Sequence, residues 1–249
     1  MIAAILQARM SSTRLPGKVM KKILGKPMIL LQIERILRAE KLDNLVVATS
    51  EHKSDDEIQE LCRKNNINCY RGSLNDLLDR YYKAATEFKV DSIVRLTADD
   101  PLVDPILIDS MIDKFKSSQY DLMTNSIFPT YPEGLDLTIL SYKTLKESWK
   151  LANLEYQREH VVPYALEKED KYNIYHFKQK IDKSHLRWTV DYKEDLKFIR
   201  KVYKKLYKKD KLFLTEDVYT LLETDASLQK INSKYIRNEG LMKSMEKRS

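Results

Sequence analysis

The chain opens on an unbroken apolar run, Ile2–Leu6, and after a polar loop apolar positions recur at helical spacing at Ile29, Ile33, Ile36 and Leu37. The run predicts a buried strand, and the spacing predicts a helix over Met28–Ala39 with Pro27 suited to its first turn. Leu45–Thr49, Ile67–Tyr70 and Ser92–Leu96 read as further strands. Leu74–Phe88 and Ile106–Phe115 read as helices, the second started by Pro105. Ser54-Asp-Asp-Glu57 has the spacing of an N-cap and capping box ahead of Ile58 and Leu61. Strand–helix alternation builds a mostly parallel sheet with helices on both faces, and unbroken apolar strands suit a sheet covered on both sides. Such sheets bind ligands at the carboxyl ends of strands near a topological switch point. The loops after Leu6 and Leu96 are therefore the first places to look for chemistry.

Beyond Asp121 the pattern loosens. Leu135–Leu140 and Tyr172–Phe177 read as strands, and Tyr142–Lys150 and Glu155–Leu166 as helices. Leu186–Val190 reads as a short late strand ended by Asp191. No repeat or low-complexity linker divides the chain. One domain is expected over residues 1–228, with an inserted acceptor lobe at about 125–185 and a peripheral tail at 229–249.

Hydrophobic residues make up 43% of the 249 and charged residues 33%, which excludes a disordered chain too poor in apolar groups to bury a core. Cys62 and Cys69 are too few for a disulfide framework, and His52, His160, His176 and His185 lack zinc-site spacing. The opening run is too short for a signal sequence, and no run approaches the ~20 apolar residues of a membrane span. A soluble cytoplasmic protein with reduced thiols is expected. The net charge of +7 is uneven, because Lys193–Leu212 holds nine Lys and Arg against three acids. That segment is either a nucleic-acid surface or the solvated face of a helix. Leu196, Ile199, Tyr203 and Leu206 recur at helical spacing and favour the second.

Three segments carry candidate chemistry. Gln7-Ala-Arg-Met-Ser-Ser-Thr-Arg-Leu-Pro-Gly-Lys18 follows the first strand and sets Arg9, Arg14 and Lys18 among hydroxyls and a glycine. Such a loop wraps a polyphosphate or is an ordinary polar connection; it has neither the Walker A nor the dinucleotide glycine pattern. Arg95-Leu-Thr-Ala-Asp-Asp-Pro101 puts Asp99 and Asp100 at the sheet's carboxyl edge, either to hold Mg²⁺ or as a capped turn. Asp191 is either an N-cap or a second carboxylate for the same metal.

Taken together, these segments resemble the sugar-activating cytidylyltransferases, with Ser12–Lys18 the most specific part. The chain is most similar to the spore-coat polysaccharide biosynthesis protein F group, related to the 3-deoxy-manno-octulosonate and acylneuraminate cytidylyltransferases. Leu78-Asp-Arg-Tyr-Tyr82, Pro132-Glu-Gly-Leu-Asp136, Arg158-Glu-His-Val161 and Thr189-Val-Asp191 follow in the family's order, so the likeness spans about residues 1–200. The resemblance implies a Rossmann-like nucleotidyltransferase fold and transfer of CMP from CTP to a sugar or sugar acid, with Mg²⁺ and release of pyrophosphate, for polysaccharide synthesis. It implies that Arg14, Lys18 and Asp99 are catalytic and that Asp99 and Asp191 hold the metal. Leu6, Ala8, Arg9, Ser12, Arg71, Arg80 and Thr97 would complete the nucleotide side, and Glu133, Asp136, Arg158 and His160 the acceptor side. A homodimer is implied as well, with no nucleic-acid partner. Trp149 and Trp188 read as core. Two departures stand out. Ala98-Asp99-Asp100-Pro101 replaces the Gly-Asp-Glu-Pro motif of the sugar-acid enzymes, and Gln7 stands where proline is frequent. Another triphosphate, a phosphorylated alcohol acceptor, or a non-catalytic nucleotide- or RNA-binding protein on the same fold stay open on the sequence alone.

Overall fold

A computed structural model gives the fold and describes residues 1–209 and 211–237. Strand β1 (Ile2–Gln7) leads through a long loop to a small hairpin, β2 (Lys22–Ile23) and β3 (Lys26–Pro27). Then come α1 (Met28–Ile36), β4 (Asn44–Ser50), α2 (Asp56–Lys64), β5 (Asn68–Gly72), α3 (Leu77–Glu87), β6 (Ser92–Thr97) and α4 (Pro105–Lys116). The second half adds β7 (Leu122–Thr124), β8 (Thr138–Ser141), α5 (Tyr142–Leu151), α6 (Glu155–His160), α7 (Pro163–Leu166), β9 (Ile174–His176), α8 (Lys193–Leu206) and α9 (Thr215–Thr224).

The main sheet has seven strands in the order β5-β4-β1-β6-β8-β7-β9. Only β8 runs against the rest, pairing antiparallel with both β6 and β7. The chain moves outward from β1 to β4 and β5, then returns to β6 on the other side of β1. The switch point is thus the crevice between β1 and β6. Ala4 and Leu6 of β1 face one apolar layer with α1, α2, α4, α8 and α9, while Ala3 and Ile5 face the other with α3, α5 and α7. Burial on both faces explains the unbroken apolar runs.

Several expectations need correction. Leu186–Val190 is not a strand: Arg187 makes one isolated bridge to Glu133. The helix expected over Glu155–Leu166 is broken in two. Val161 takes φ 71°, unfavourable for a β-branched residue, and the chain restarts as a short helix with Pro163 in its first turn. The capping box at Ser54–Glu57 does not form; α2 starts at Asp56, and the preceding Asp55 gives it no side-chain cap. Of the expected peripheral tail, Asn232 is buried and Ile231 packs against the core, while Lys230, Ser233, Lys234 and Ile236 are exposed; residues 238–249 lie outside the described ones. The lysines of α8 are exposed while Leu196, Ile199 and Tyr203 are buried, the pattern of a solvated face. Trp188 is core, whereas Trp149 is half-buried, stacked on Tyr82 and donating to Asp79 at 2.9 Å.

Candidate active site

The loop after β1 is folded by its own backbone. The Met10 carbonyl accepts from both Ser12 N–H and Gly17 N–H at 2.9 Å. Ser12 Oγ accepts from Leu15 N–H at 3.3 Å, and the buried Asp55 carboxylate accepts from Met10 N–H at 2.8 Å. Gly17 takes φ 64°, which lets the chain turn into the short helical turn Lys18–Met20. That turn sends Lys18 inward, 9% exposed. Leu6 and Ala8 contribute backbone only: both are buried, and Ala8 N–H donates to the Ala48 carbonyl at 3.1 Å.

Lys18 Nζ lies 2.7 Å from Asp99 Oδ2 and 2.8 Å from Asp191 Oδ1. Arg14 reaches the same Asp191 Oδ1 at 2.8 Å and lies over the Tyr192 ring. Four of the residues expected to carry the chemistry therefore meet at one point of the switch crevice. Burial pushes the Lys18 ammonium down, but Asp99 and Asp191 outweigh it and raise it above the usual lysine value. Burial pushes Asp99 up, and the Lys18 charge and hydrogen bond overcome it and hold the carboxyl below the usual range. The neighbouring Asp100 is held well above that range by burial and then by the Asp99 charge, and it accepts from Thr97 Oγ1 at 2.6 Å. Two carboxylates converging on one cation suit a hard divalent ion that keeps substrate phosphates in its shell. Among the described residues no group of three or more His, Cys, Asp or Glu is arranged to hold a metal.

Asp191 is placed by the extended segment Leu186–Val190, which is pinned at three points. Glu133 N–H donates to the Leu186 carbonyl, Trp188 N–H to the Glu133 carbonyl, and Val190 N–H to the Asp99 carbonyl at 2.8 Å. The side chains add a buried cluster absent from the sequence expectations. Arg187 donates to Glu133, to Asp191 at 3.2 Å, and to Asp195 at 3.0 and 3.1 Å. Asn232 donates to Asp195 at 2.9 Å and to the Arg187 carbonyl at 3.0 Å. Tyr235 stacks flat on Tyr192 at 3.9 Å, and Arg237 pairs with Asp136. Burial raises Asp136, and Arg237 only partly offsets it.

Among the other expected site residues, Arg71, Arg80 and Arg158 are committed to the scaffold. Arg71 donates to Asp56, Gln59 and the carbonyls of Ser50 and His52. Arg80 is buried and donates to the Ser73 and Leu74 carbonyls. Arg158 donates to Asp76 at 2.7 Å and to the Trp149 and Ala152 carbonyls, tying α3 to the end of α5. His160 is half-buried, with Nε2 3.8 Å from Glu159. Arg9 is exposed and makes no ion pair among the described residues.

Sheet order and the charge gathered at the switch point define the class, a Rossmann-like nucleotidyltransferase fold. Comparison with known proteins narrows it: the cytidylyltransferase family model matches residues 3–221, and the chain belongs to that family. It is 33% identical over 213 residues to the spore coat polysaccharide biosynthesis protein SpsF of Bacillus subtilis, covering 82% of this chain and 87% of that one. The solved structure of a cytidylyltransferase from Leptospira borgpetersenii superposes with a TM-score of 0.87 at 33% identity, covering 92% of this chain and 96% of that one. A CMP:2-keto-3-deoxy-manno-octonic acid synthetase complexed with CTP shares the fold, with a TM-score of 0.64 at 17% identity over 83% of this chain and 99% of that one. The chain is an enzyme of the CTP-dependent nucleotidyltransferase type. Among the described residues no helix is long and apolar enough to cross a membrane.

Proposed function

We propose that the protein transfers CMP from CTP to a sugar or sugar acid, for surface polysaccharide or glycan synthesis. The observation that carries this is the meeting of Lys18 and Arg14 with Asp99 and Asp191 at the β1–β6 switch point. In the reaction an acceptor hydroxyl oxygen bonds the α-phosphorus, and the α–β bridging bond breaks with its electron pair leaving on pyrophosphate. The hydroxyl proton passes to water. Lys18 and Arg14 bind and orient the triphosphate and balance the charge that gathers on it, so catalysis is positioning plus electrostatics. Asp99 and Asp191 would hold Mg²⁺, which supplies further charge stabilisation on the transferring phosphoryl group. No covalent enzyme intermediate is required. The names of the relatives support cytidine and polysaccharide synthesis. The 125–185 segment exposes Ile127, Phe128, Leu151 and Leu154, which supports a homodimer formed through that lobe. The two free cysteines suit a cytoplasmic setting.

The test is pyrophosphate release with Mg²⁺ and each of CTP, UTP, GTP and ATP, against a panel of sugar acids and sugar phosphates. Release with CTP and one acceptor is expected, abolished in Asp99→Asn and Asp191→Asn. Turnover with a different triphosphate, or undiminished turnover in either variant, would overturn the corresponding part of the reading.

A further inference from the structure

One face of the sheet changes character along a single row. Ile93, Leu140, Leu122 and Ile174 are register partners across β6, β8, β7 and β9. They belong to the apolar layer under α3, α5 and α7. Two residues further along each strand, on the same face, the partners are Arg95, Thr138, Thr124 and His176. The row turns polar on β6 four residues before Asp99, with Asp136 two residues from Thr138 on β8. Successive strands lie about 4.8 Å apart, so a guanidinium, two hydroxyls and an imidazole stand in line.

The hydroxyls satisfy one another. Thr138 Oγ1 donates to Thr124 Oγ1 at 2.9 Å, and Thr124 Oγ1 lies 2.9 Å from Ser126 Oγ. The two ends of the row are different. Arg95 Nε and His176 Nδ1 are both buried without a hydrogen-bond partner. Arg95 is half-buried, and its side chain makes no ion pair or hydrogen bond among the described residues. Its ring-side neighbour Tyr81 is occupied with the Ile5 and Leu96 carbonyls. His176 Nε2 has only an exposed glutamate at 3.7 Å, and its ring is edge-on to Phe128. A desolvated donor left unsatisfied costs about 1–3 kcal/mol, and an apolar residue in that place would avoid it. Arg158, Arg71 and Arg80 do not share this condition, since each is spent on backbone carbonyls and, for Arg158 and Arg71, carboxylates.

We infer that the Arg95–Thr138–Thr124–His176 row is the floor of the acceptor site, and that Arg95 takes an anionic group, a carboxylate or phosphate, on the acceptor. The inference rests on the nucleotidyl-transfer reading above and deepens it. A planar guanidinium offers its fork to either anion, and the imidazole suits a hydroxyl of a sugar or polyol, while the buried Thr138 and Thr124 hydroxyls hold the strands between them in place. Arg95 is a specificity-determining residue here and takes no part in proton or phosphoryl transfer.

The test is equilibrium binding to the full chain in the presence of a non-hydrolysable CTP analogue. Three probes are used: 3-deoxy-manno-octulosonate for the carboxylate, mannose 6-phosphate for the phosphate, and mannose as the neutral control. One anionic probe is expected to bind at least tenfold more tightly than mannose, and which one does so identifies the anion. Arg95→Ala should weaken that probe by about 10- to 100-fold, with mannose and the CTP analogue within twofold of wild type. Arg95→Lys should recover part of the loss, which a merely misfolded variant would not. Binding of neither anion above mannose, or unchanged anion binding in Arg95→Ala, would overturn the inference while intact binding of the CTP analogue leaves the nucleotidyl-transfer reading standing. Failure of the wild type to bind the CTP analogue would instead sink that reading and this inference with it.

Discussion

Arg187 is the strongest single lever on this site. Its side chain is 6% exposed, and those of Glu133, Asp191 and Asp195 are 11%, 9% and 0% exposed. These values place the cluster in the buried regime, where removing one partner strands the others, and not in the surface regime, where a pair is worth about 0–1 kcal/mol. Burial pulls the guanidinium down, and the three carboxylates more than offset this and raise it above the usual arginine value. Arg187→Met keeps the stem and removes the fork, taking the shared cation from Glu133, Asp191 and Asp195, of which Asp191 keeps Lys18 and Arg14. The expected loss is about 3–5 kcal/mol, read from urea unfolding at pH 7. For a chain of this length that is a fall in Tm of roughly 6–20 °C. Arg187→Lys should lie between, because one ammonium cannot serve three carboxylates in a fixed fork. A double-mutant cycle with Asp195→Asn should show coupling of about 0.5–3 kcal/mol. A loss below about 1 kcal/mol for Arg187→Met would refute the reasoning and mean that water or the remaining groups already satisfy the acids.

Two further outcomes follow from the loops that feed the site. Burial pushes the Asp55 carboxyl up, but the Ser50 hydroxyl and the Met10 and Ser50 N–H groups pull it below the usual value. A lowered carboxylate contributes stability present above about pH 3.9 and lost as pH falls through the lower folded value. Asp55→Asn should therefore cost about 1.5–3 kcal/mol at pH 7 and flatten the acid side of the stability curve, and acid limbs of equal slope would count against the assignment. Gly134 has φ +105°, and a Cβ there would lie 2.5 Å from Thr189 N and 2.7 Å from the Trp188 carbonyl carbon. Gly134→Ala must displace the segment that carries Asp191, at a cost of about 2–5 kcal/mol with a matching loss of pyrophosphate release; unchanged unfolding and turnover would show that the segment yields freely.

What was legible in the sequence was local. Ile2–Leu6 declares itself as a strand because every residue is apolar, and Ser92–Leu96 does so through Ile93, Val94 and Leu96 despite Ser92 and Arg95. Arg14, Lys18, Asp99 and Asp191 could be named beforehand through the resemblance of their motifs to the cytidylyltransferases, since each segment read alone left an ordinary loop or cap open. Arg187 could not, because its meaning depends on Glu133, 54 residues away, and on Asn232 beyond Asp195. The same cause misled the reading of Ser54–Glu57. The local spacing is that of a capping box, but Asp55 is claimed by Met10 N–H, 45 residues away, and by Ser50. Arg158 carries a family motif and still serves as a strut, since Asp76 and two carbonyls take its donors. Arg95 was equally visible as a residue, and its lack of partners became a signal only once the strand registers were known.

On the proposed reading, the cluster also explains how Asp191 stays in place when Lys18 and Arg14 turn to a triphosphate. In this structure Lys18 and Arg14 both rest on Asp191 Oδ1. On the proposed reading both must turn toward a triphosphate, and a carboxylate held by them alone would then be free to swing. Asp191 Oδ2 is held separately by Arg187, whose own position is fixed by Glu133 and Asp195. Asp195 also accepts from the N–H groups of Asp191 and Tyr192 at 3.0 and 2.9 Å, so the backbone around Asp191 is anchored by the same group. On that reading one oxygen exchanges partners while the other keeps Arg187. That division requires a buried cation with no role toward substrate, which is why Arg187 sits behind the acids and Lys18 in front of them.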